Sequence, residues 1–453
     1  MGWLIRNYEN LAITEERKKL FQLIDFGIEE TKPEKLIKKS LKITKERLFI
    51  QDKVFDLTQF NKIVVLGIGK GSASASLALA EILGNHLTQG MVIDIQKPIT
   101  SQQSPVSSFR ISVGSHPLPT KKNYLFSRDA VSILKKLDKN DLLITVVCGG
   151  GSKLFCYPIS ELKGVKLFKY LTARGVNIKE INTVRKHLSL VKGGGLAKIV
   201  YPATVIGLIF SDVPGNDISV VASGPTVYDK TTKKDAGRIL KKYLCKEEYP
   251  RLSASISALV RVLKETPKDE KYFEKVHNFL ISSNKSALEK MIEKAKKLGL
   301  KARIYKCDLE GEARKAGKIL LSKAKKGELI LVGGETTVKL KGKPFGRTPA
   351  EGEARQRRQG KGGRNQELVL GALRYLKPGE IIISIASDGW DNTEAAGAIG
   401  DQETLKKAKK LNLNINKYLD NNDSFHFFSK TGDLIFTGHT GINVSDLMLV
   451  YKK

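Results

Sequence analysis

Apolar and polar positions along the chain follow two alternating rhythms. Short apolar runs of strand length, Lys62–Leu66, Met91–Ile95, Leu142–Val147 and Thr204–Phe210, are separated by stretches in which apolar residues recur every three or four positions. The second rhythm predicts helices over Ser72–Leu83, Phe126–Leu137, Leu162–Arg174 and Asp235–Leu244. After a charged, polar stretch, Lys246–Lys271, the alternation resumes. Strands are predicted at Phe279–Ser282, Ala302–Tyr305, Glu328–Val332 and Ile381–Ile385, with helices over Lys285–Lys297, Gly311–Lys325 and Asn365–Leu376. Such alternation predicts an α/β protein with a largely parallel sheet. The boundary is placed near residue 250, giving an N-terminal domain over 1–250 and a C-terminal domain over 251–453. The run Lys343–Gly360, KPFGRTPAEGEARQRRQG, is poor in apolar residues and reads as a mobile loop. There is no internal repeat or heptad array.

Composition narrows the function classes. At 453 residues the chain has room for two or three domains with buried cores, and 41% hydrophobic residues suit a folded protein. The longest apolar runs, Ala203–Phe210 and Ile381–Ala386, are strand-sized, so no membrane span or membrane partner is expected. The start, MGWLIRNYEN, lacks a basic segment followed by an apolar one, and Arg6 stands where a myristoylation signal needs Ser or Thr. A cytoplasmic location is the expectation. Cys148, Cys156, Cys245 and Cys307 form no CxxC pair and no zinc-type spacing with the six histidines, so they read as reduced, packed thiols. The formal charge of +31 raises the question of a nucleic-acid partner. The lysines are spread over many helices and no nucleic-acid motif accompanies them. Solvated helix faces that also steer small anions are the preferred reading, with no nucleic acid bound.

The candidate chemistry lies where predicted strands end, the place where parallel folds gather ligands. VLGIGKGSAS (Val65–Ser74) has the outline of a phosphate turn but fits neither familiar motif. A P-loop needs glycine where Val64 stands and Ser or Thr where Gly71 stands; a dinucleotide turn needs Gly or Ala where Ser72 stands. Five further segments share its character: CGGGSKLF (Cys148–Phe155), SDVPGNDISVVASGPT (Ser211–Thr226), GGETTVKLKG (Gly333–Gly342), GKGGRNQE (Gly360–Glu367) and SDGWDNTEAAGA (Ser387–Ala398). Glycines allow close backbone approach and present N–H groups as an anion nest. One such loop is ordinary α/β packing; six read as the walls of a site for phosphate and a small polar anion.

Each candidate side chain has a plainer alternative. Lys70 is either a solvated loop lysine or an amine reaching a phosphoryl group. Arg364, after Gly362 and Gly363 at a helix start, either pairs with a carboxylate or stabilises charge in phosphoryl transfer. Asp212, Asp388 and Asp391 follow strands and either cap helices or hold Mg²⁺. Arg185, Lys186 and His187 form a basic cluster that either binds a carboxylate or is a solvated helix face. His116, held extended before Pro117, and His439 are site residues or structural hydrogen-bonders, and Asn284 touches a nucleotide or caps a helix.

In the order GIGKGS, CGGGSKLF, NTVRKHLSLVKGGGLA, SDVPGNDISVVASGPTV, GGETTV, GKGGRNQE, ASDGWDNTEAAGA and GHTGINVSDL, these motifs resemble the class II glycerate 2-kinases with a MOFRL-type C-terminal domain. The likeness runs roughly from Lys62 to Leu449. It implies two α/β domains around a cleft, the first Rossmann-like with a mainly parallel sheet and the second a MOFRL-type mixed sheet. It also implies ATP- and Mg²⁺-dependent phosphorylation of D-glycerate at its 2-hydroxyl, giving 2-phosphoglycerate and ADP. Lys70 and Arg364 match the family's catalytic pair. Two departures stand out: Cys148 and Lys153 replace the serine and alanine of the usual SGGGSA, and the arginine-rich insert is longer than in the family.

Together these readings assign catalysis to Lys70, Arg364 and Asp212, the last as proton acceptor. Nucleotide and phosphates are expected at Gly69, Gly71, Gly150, Gly151, Ser152, Ser223, Gly224, Asn284, Gly334, Glu335, Thr336, Gly363, Asn365 and Asp388. Glycerate is expected at His116, Arg185 and Lys186, and Mg²⁺ at Asp212 and Asp388. A monomer or homodimer is expected. The rival reading is an NAD(P)-dependent hydroxypyruvate reductase, suggested by GxG after a strand.

Overall fold

A computed structural model describes residues 3–97, 108–158, 164–174, 176–243, 260–340 and 360–453. The predicted boundary near residue 250, Cys245 and the predicted loop Lys343–Gly360, apart from its last glycine, lie outside the described residues. The chain forms two compact units that do not follow a single cut. One comprises Pro33–Ser211 and Asn216–Ile281; the other comprises the chain up to Lys32, Asp212–Gly215 and Ser282–Lys453.

In the first unit a three-stranded antiparallel sheet, β1 (Leu41–Thr44), β2 (Arg47–Ile50) and β3 (Lys53–Asp56), precedes the main sheet. The main sheet contains β4 (Lys62–Ile68), β5 (Gln89–Asp94), β6 (Phe109–Val113), β7 (Asp141–Val147), β8 (Thr204–Phe210) and β9 (Val276–Ser282). Its order is β6-β5-β4-β7-β8-β9, and the β4–β5, β4–β7, β5–β6 and β7–β8 pairs are parallel. Counted from β4, this is the 3-2-1-4-5-6 order of a doubly wound sheet. β4, β7 and β8 are buried almost throughout, as strands covered on both faces must be. The predicted strands of this half are therefore present, and the mainly parallel sheet is borne out. The order also fixes a switch point: β4 and β7 are neighbours, but their outgoing connections run in opposite directions across the sheet. The loops leaving their carboxyl ends consequently splay apart and leave a crevice.

The second unit is built on a mixed sheet, as the resemblance implies. Its strands are β10 (Lys301–Leu309), β11 (Glu328–Gly334), β12 (Glu380–Ala386), β13 (Gly397–Gly400), β14 (Leu434–Ile435) and β15 (Asp446–Lys452), in the order β10-β11-β15-β12-β13-β14. β10 and β11 are parallel, and β15 runs antiparallel between β11 and β12. One face packs on helices Glu15–Glu29 and Asn284–Lys297 through Leu20, Ile24, Met291, Leu331 and Leu449. The other packs on helices Ala313–Lys323 and Arg364–Leu373 through Leu320, Val369 and Val450. Helix Glu15–Glu29 is tied in by Arg17, fully buried, whose guanidinium meets Asp401 Oδ2 at 2.7 Å and Asp433 Oδ1 at 2.9 Å. A buried charge of this kind is tolerated only when it is paired.

Candidate active site

In the first unit the crevice between β4 and β7 is lined by the two loops that the glycine pattern singled out. Gly69 has φ +112, and a Cβ there would lie 2.4 Å from the Cys148 carbonyl oxygen, so only glycine lets the loops come together. They are joined by the Lys70 N–H donating to the Gly149 carbonyl at 2.8 Å and the Cys148 N–H donating to Ile68 at 2.8 Å. Gly71 and Gly150, both left-handed, open helices Ser72–Leu83 and Gly151–Leu154. A Cβ on Gly150 would lie 3.3 Å from the His116 ring and 3.4 Å from Lys70 Cγ, which gathers Lys70, His116 and Gly150 in one place. Ser152 and Ser223 share a hydroxyl hydrogen bond of 2.8 Å, and Gly224 follows in the left-handed region.

The start of helix Ser72–Leu83 already holds a carboxylate. Asp94 Oδ2 accepts the Ala73 N–H at 3.0 Å, and burial raises the Asp94 carboxyl to about 6 despite its backbone hydrogen bonds. That carboxylate takes up part of the helix-end potential, so the charge for an incoming anion falls to the Lys70 side chain.

The three basic candidates separate. Arg185 Nη2 donates to the Ser152 carbonyl at 3.0 Å, beside the glycine loop. Lys186 instead pairs with Asp229 at 3.2 Å, with both side chains buried. His187 is fully buried, with Nδ1 2.9 Å from the Thr183 carbonyl oxygen and Nε2 3.2 Å from Glu265 Oε1. Two further cations stand near Arg185: Lys153, noted above only as a departure from the family motif, and Lys192, which was not singled out. Lys192 Nζ donates to the Phe155 carbonyl at 3.3 Å, and Lys153 Nζ lies 3.6 Å from the Phe168 ring centroid. The signal for Lys192 was its place in NTVRKHLSLVKGGGLA, a motif read for its glycines rather than for its second lysine.

In the second unit Arg364 is the hub. Its Nε and Nη2 donate to Asp446 at 2.5 and 3.0 Å, and its Nη1 donates to Glu335 at 2.5 Å. The sheet explains the meeting: Asp446 opens β15 in register with Gly334 at the end of β11 and Ala386 at the end of β12. Burial would lower the Arg364 pKa, but Asp446 and Glu335 outweigh it and push it up, so the guanidinium stays charged. Burial raises the Glu335 carboxyl to about 7; Arg364 pulls it down, while Asp446, Asp212 and Asp388 push it up. Burial thus leads the shift, with one guanidinium and three carboxylates acting on Glu335 in opposite directions.

The other candidates of this unit divide between surface and interior. Asp212 accepts from Asn443 Nδ2 at 3.1 Å, and Asp388 Oδ1 accepts the Trp390 N–H at 3.0 Å; both are half-buried. Asn365 is fully buried, bonded to Asp391 and to the Ser384 hydroxyl. Asn284 opens helix Asn284–Lys297, and its Nδ2 donates to the Cys307 carbonyl at 2.7 Å. The Thr336 hydroxyl is buried and has no hydrogen-bond partner. Gly363 caps helix Arg364–Leu373 against Asp391, whose carboxylate accepts the Asn365 and Gln366 N–H groups. Sequence reading missed Asp446, the strongest partner of Arg364. Its only trace was an acidic residue just before the apolar run Leu447–Val450 in the GHTGINVSDL segment.

These features define a two-unit α/β protein with charged loops at its strand ends, and comparison with known proteins narrows the class. A family described as a domain of unknown function, DUF4147, matches residues 19–259, and the MOFRL family matches residues 328–446. The chain is 35% identical to a glycerate 2-kinase of Pyrococcus horikoshii, covering 94% of this chain and 95% of that protein. It is 34% identical to a D-glycerate 2-kinase of Thermotoga maritima, covering 92% and 98%. The crystal structure of a glycerate kinase from Thermotoga maritima superposes with a TM-score of 0.76 at 32% identity, covering 96% of this chain and 99% of that one. The chain belongs to the glycerate kinase family with a MOFRL domain, and it is a kinase.

Proposed function

We propose that the protein transfers the γ-phosphoryl group of ATP to the 2-hydroxyl of D-glycerate, releasing 2-phosphoglycerate and ADP. The observation that carries this reading is Lys70, held between two left-handed glycines at the doubly wound switch point with its backbone bonded to the Gly149 loop. Phosphoryl transfer needs little covalent help from a protein; positioning and neutralisation of charge do most of the work. Lys70 and Arg364 each neutralise charge on the transferring group, and Glu335 with Asp446 fixes the orientation of the Arg364 fork. The glycine loops at Gly69–Gly71 and Gly149–Ser152, with Ser223 and Gly224, cradle phosphates. His116 and Arg185 hold the acceptor, and Lys186 is left to its structural pair with Asp229. Asp212 accepts the hydroxyl proton. Residues 1–250 and 251–453 serve as the two functional domains.

Mg²⁺ suits the second unit because four carboxylates, Glu335, Asp212, Asp388 and Asp446, act on one another there with Arg364 as their cation. Among the described residues no group of three or more His, Cys, Asp or Glu side chains is placed to hold a metal ion by itself. An ion held mainly by phosphate oxygens and water needs only one or two carboxylates, and Asp212 and Asp388 are the candidates. Bound there, Mg²⁺ supplies charge neutralisation at the phosphate oxygens.

A relative from Agrobacterium vitis, 33% identical over 86% of this chain, carries the name of a hydroxypyruvate reductase. A lysine inside the glycine turn, and serine at its third position, do not suit a dinucleotide site. The deciding experiment couples ATP and D-glycerate directly to enolase without a mutase. Enolase signal means that the 2-phosphate formed; ADP without signal means that another oxygen was phosphorylated, and NADH oxidation with hydroxypyruvate would favour the reductase.

A further inference from the structure

Beside the Gly149–Ser152 loop the first unit contains a cavity of about 620 Å³, lined by Ser152 and by Leu118, Pro119 and Thr120, which follow His116 in the chain. Its walls are largely apolar, with Leu167, Leu171, Val184 and Leu188 among them, yet cationic side chains line it: Lys121 and Arg128, both exposed and the latter paired with Asp129, and three less exposed ones, Lys153, Arg185 and Lys192. Lys192 is only 5% exposed. Among the described residues none of the three forms an ion pair with a carboxylate; their polar contacts are the Ser152 and Phe155 carbonyls and the Phe168 ring. Isolated buried charges are costly and natural proteins pair them. Among the described residues no carboxylate pairs any of the three, and a ligand would supply that charge.

One carboxylate balances one cation, or is shared by two. Three cations around one cavity call for more negative charge than a monocarboxylate brings. Arg185 lies on helix Ile178–His187 with Lys192 five residues beyond it, whereas Lys153 lies on the turn Gly151–Leu154 that follows the glycine loop. We infer that this cavity is the acceptor pocket and that Lys153 makes it selective for 2-hydroxy acids bearing a second anionic group beside the carboxylate. This rests on the reading of the chain as a hydroxy-acid kinase only in naming the ligand as the acceptor; the charge count stands without it.

Burial shifts the three cationic groups down, and it pushes the Cys156 thiol that also faces the cavity up. Burial, then Arg185, holds the Lys153 amine down to about 8, and burial with Arg185 and Lys153 holds Lys192 down to about 7, opposed by the Cys156 thiol. Burial likewise lowers Arg185 to about 10. An anion that restores charge to these amines takes up protons as it binds near pH 7.5.

The test compares D-glycerate with tartronate, the same skeleton with a carboxylate in place of the hydroxymethyl group. Calorimetric titration of the full chain without nucleotide reads binding directly. Tartronate is expected to bind about tenfold more tightly, a difference of about 1.4 kcal/mol, and Lys153→Met is expected to close the gap. Equal affinity in the unmodified protein, or a gap that survives Lys153→Met, overturns the inference. Should Lys153→Met fail to fold by circular dichroism, proton uptake in the unmodified protein decides, read from binding enthalpies in buffers of different ionisation enthalpy. Greater uptake with tartronate supports the inference and equal uptake overturns it. A tartronate preference without any ADP release from ATP and D-glycerate upholds the charge count and sinks the reading of D-glycerate as acceptor; turnover of glycerate without the preference does the reverse.

Discussion

Asp446 grips Arg364 with both carboxylate oxygens: Oδ2 takes Nε at 2.5 Å and Oδ1 takes Nη2 at 3.0 Å. Because Asp446 lies at the fully buried start of β15, between the ends of β11 and β12, the sheet itself aims the guanidinium. Asp446→Asn keeps the shape of the side chain and removes the charge-assisted pairing. It is expected to lower kcat by about 10- to 100-fold, the cost of a misaimed group. The KM for D-glycerate should change little. An unchanged kcat in the folded variant would remove Asp446 from this role.

Lys70→Ala and Arg364→Ala test the charges themselves. Each is expected to reduce kcat by roughly 100-fold or more, the usual cost of losing one preorganised charge-stabilising group. Arg364→Lys should recover little, because a lysine cannot bond Asp446 and Glu335 together as the planar fork does. Circular dichroism separates these losses from unfolding, and near-normal turnover in either alanine variant would count against the assignment.

Glu335 should leave a mark on the pH profile. With its carboxyl raised to about 7, chiefly by burial, it is neutral in acid and ionised in base. Turnover is expected to rise as pH climbs through about 7, as the carboxylate that pairs with Arg364 appears, and Glu335→Gln should flatten that limb. The stability of the unliganded protein carries the opposite sign. The folded carboxyl keeps its proton up to about pH 7, while the unfolded one releases it near its ordinary value of 4.5. The contribution of Glu335 to stability is therefore full below 4.5 and lost as pH rises to 7.

Lys192 costs the empty protein stability whenever it is charged. Its amine titrates at about 7 when folded and at 10.5 when unfolded, so the unfolded chain binds more protons between those values and stability rises with pH across them. Lys192→Met should raise the Tm at pH 6 by roughly 2–4 °C, about the shift that 1 kcal/mol produces in a mid-sized domain. The gain should shrink as pH rises from about 7 towards 10.5. A Tm gain that ignores pH would point to packing rather than charge.

Gly69→Ala should unseat the crevice. Its Cβ would fall 2.4 Å from the Cys148 carbonyl oxygen, at a backbone φ of +112 that alanine rarely adopts. A loss of about 2 kcal/mol or more in unfolding free energy is expected, together with weaker nucleotide binding, measured by urea denaturation and ligand titration. Gly84→Ala is the control: φ is also positive there, +53, but a Cβ meets nothing within 4 Å. Its cost should be strain alone, and therefore smaller.

Local pattern determined a good deal of this protein. The buried strands β4, β7, β8, β11 and β12 are continuous apolar runs because both faces are covered, and such runs are legible one at a time. The glycine turns after β4 and β7 were legible for the same reason, since a left-handed backbone beside a close neighbour needs glycine whatever surrounds it. What sequence left open were the relations between distant segments. The apolar run Leu447–Val450 gives no hint that β15 enters the middle of a sheet, because strand order is settled by which faces must be buried together. Asp446 therefore met Arg364, 82 residues away, only in three dimensions. The same holds for Arg185, Lys186 and Lys192, seven positions from first to last: neighbours in the chain, they are divided by helix phase and packing. Lys186 is turned to Asp229, while Arg185 and Lys192 join Lys153 around a cavity that no stretch of sequence contains by itself.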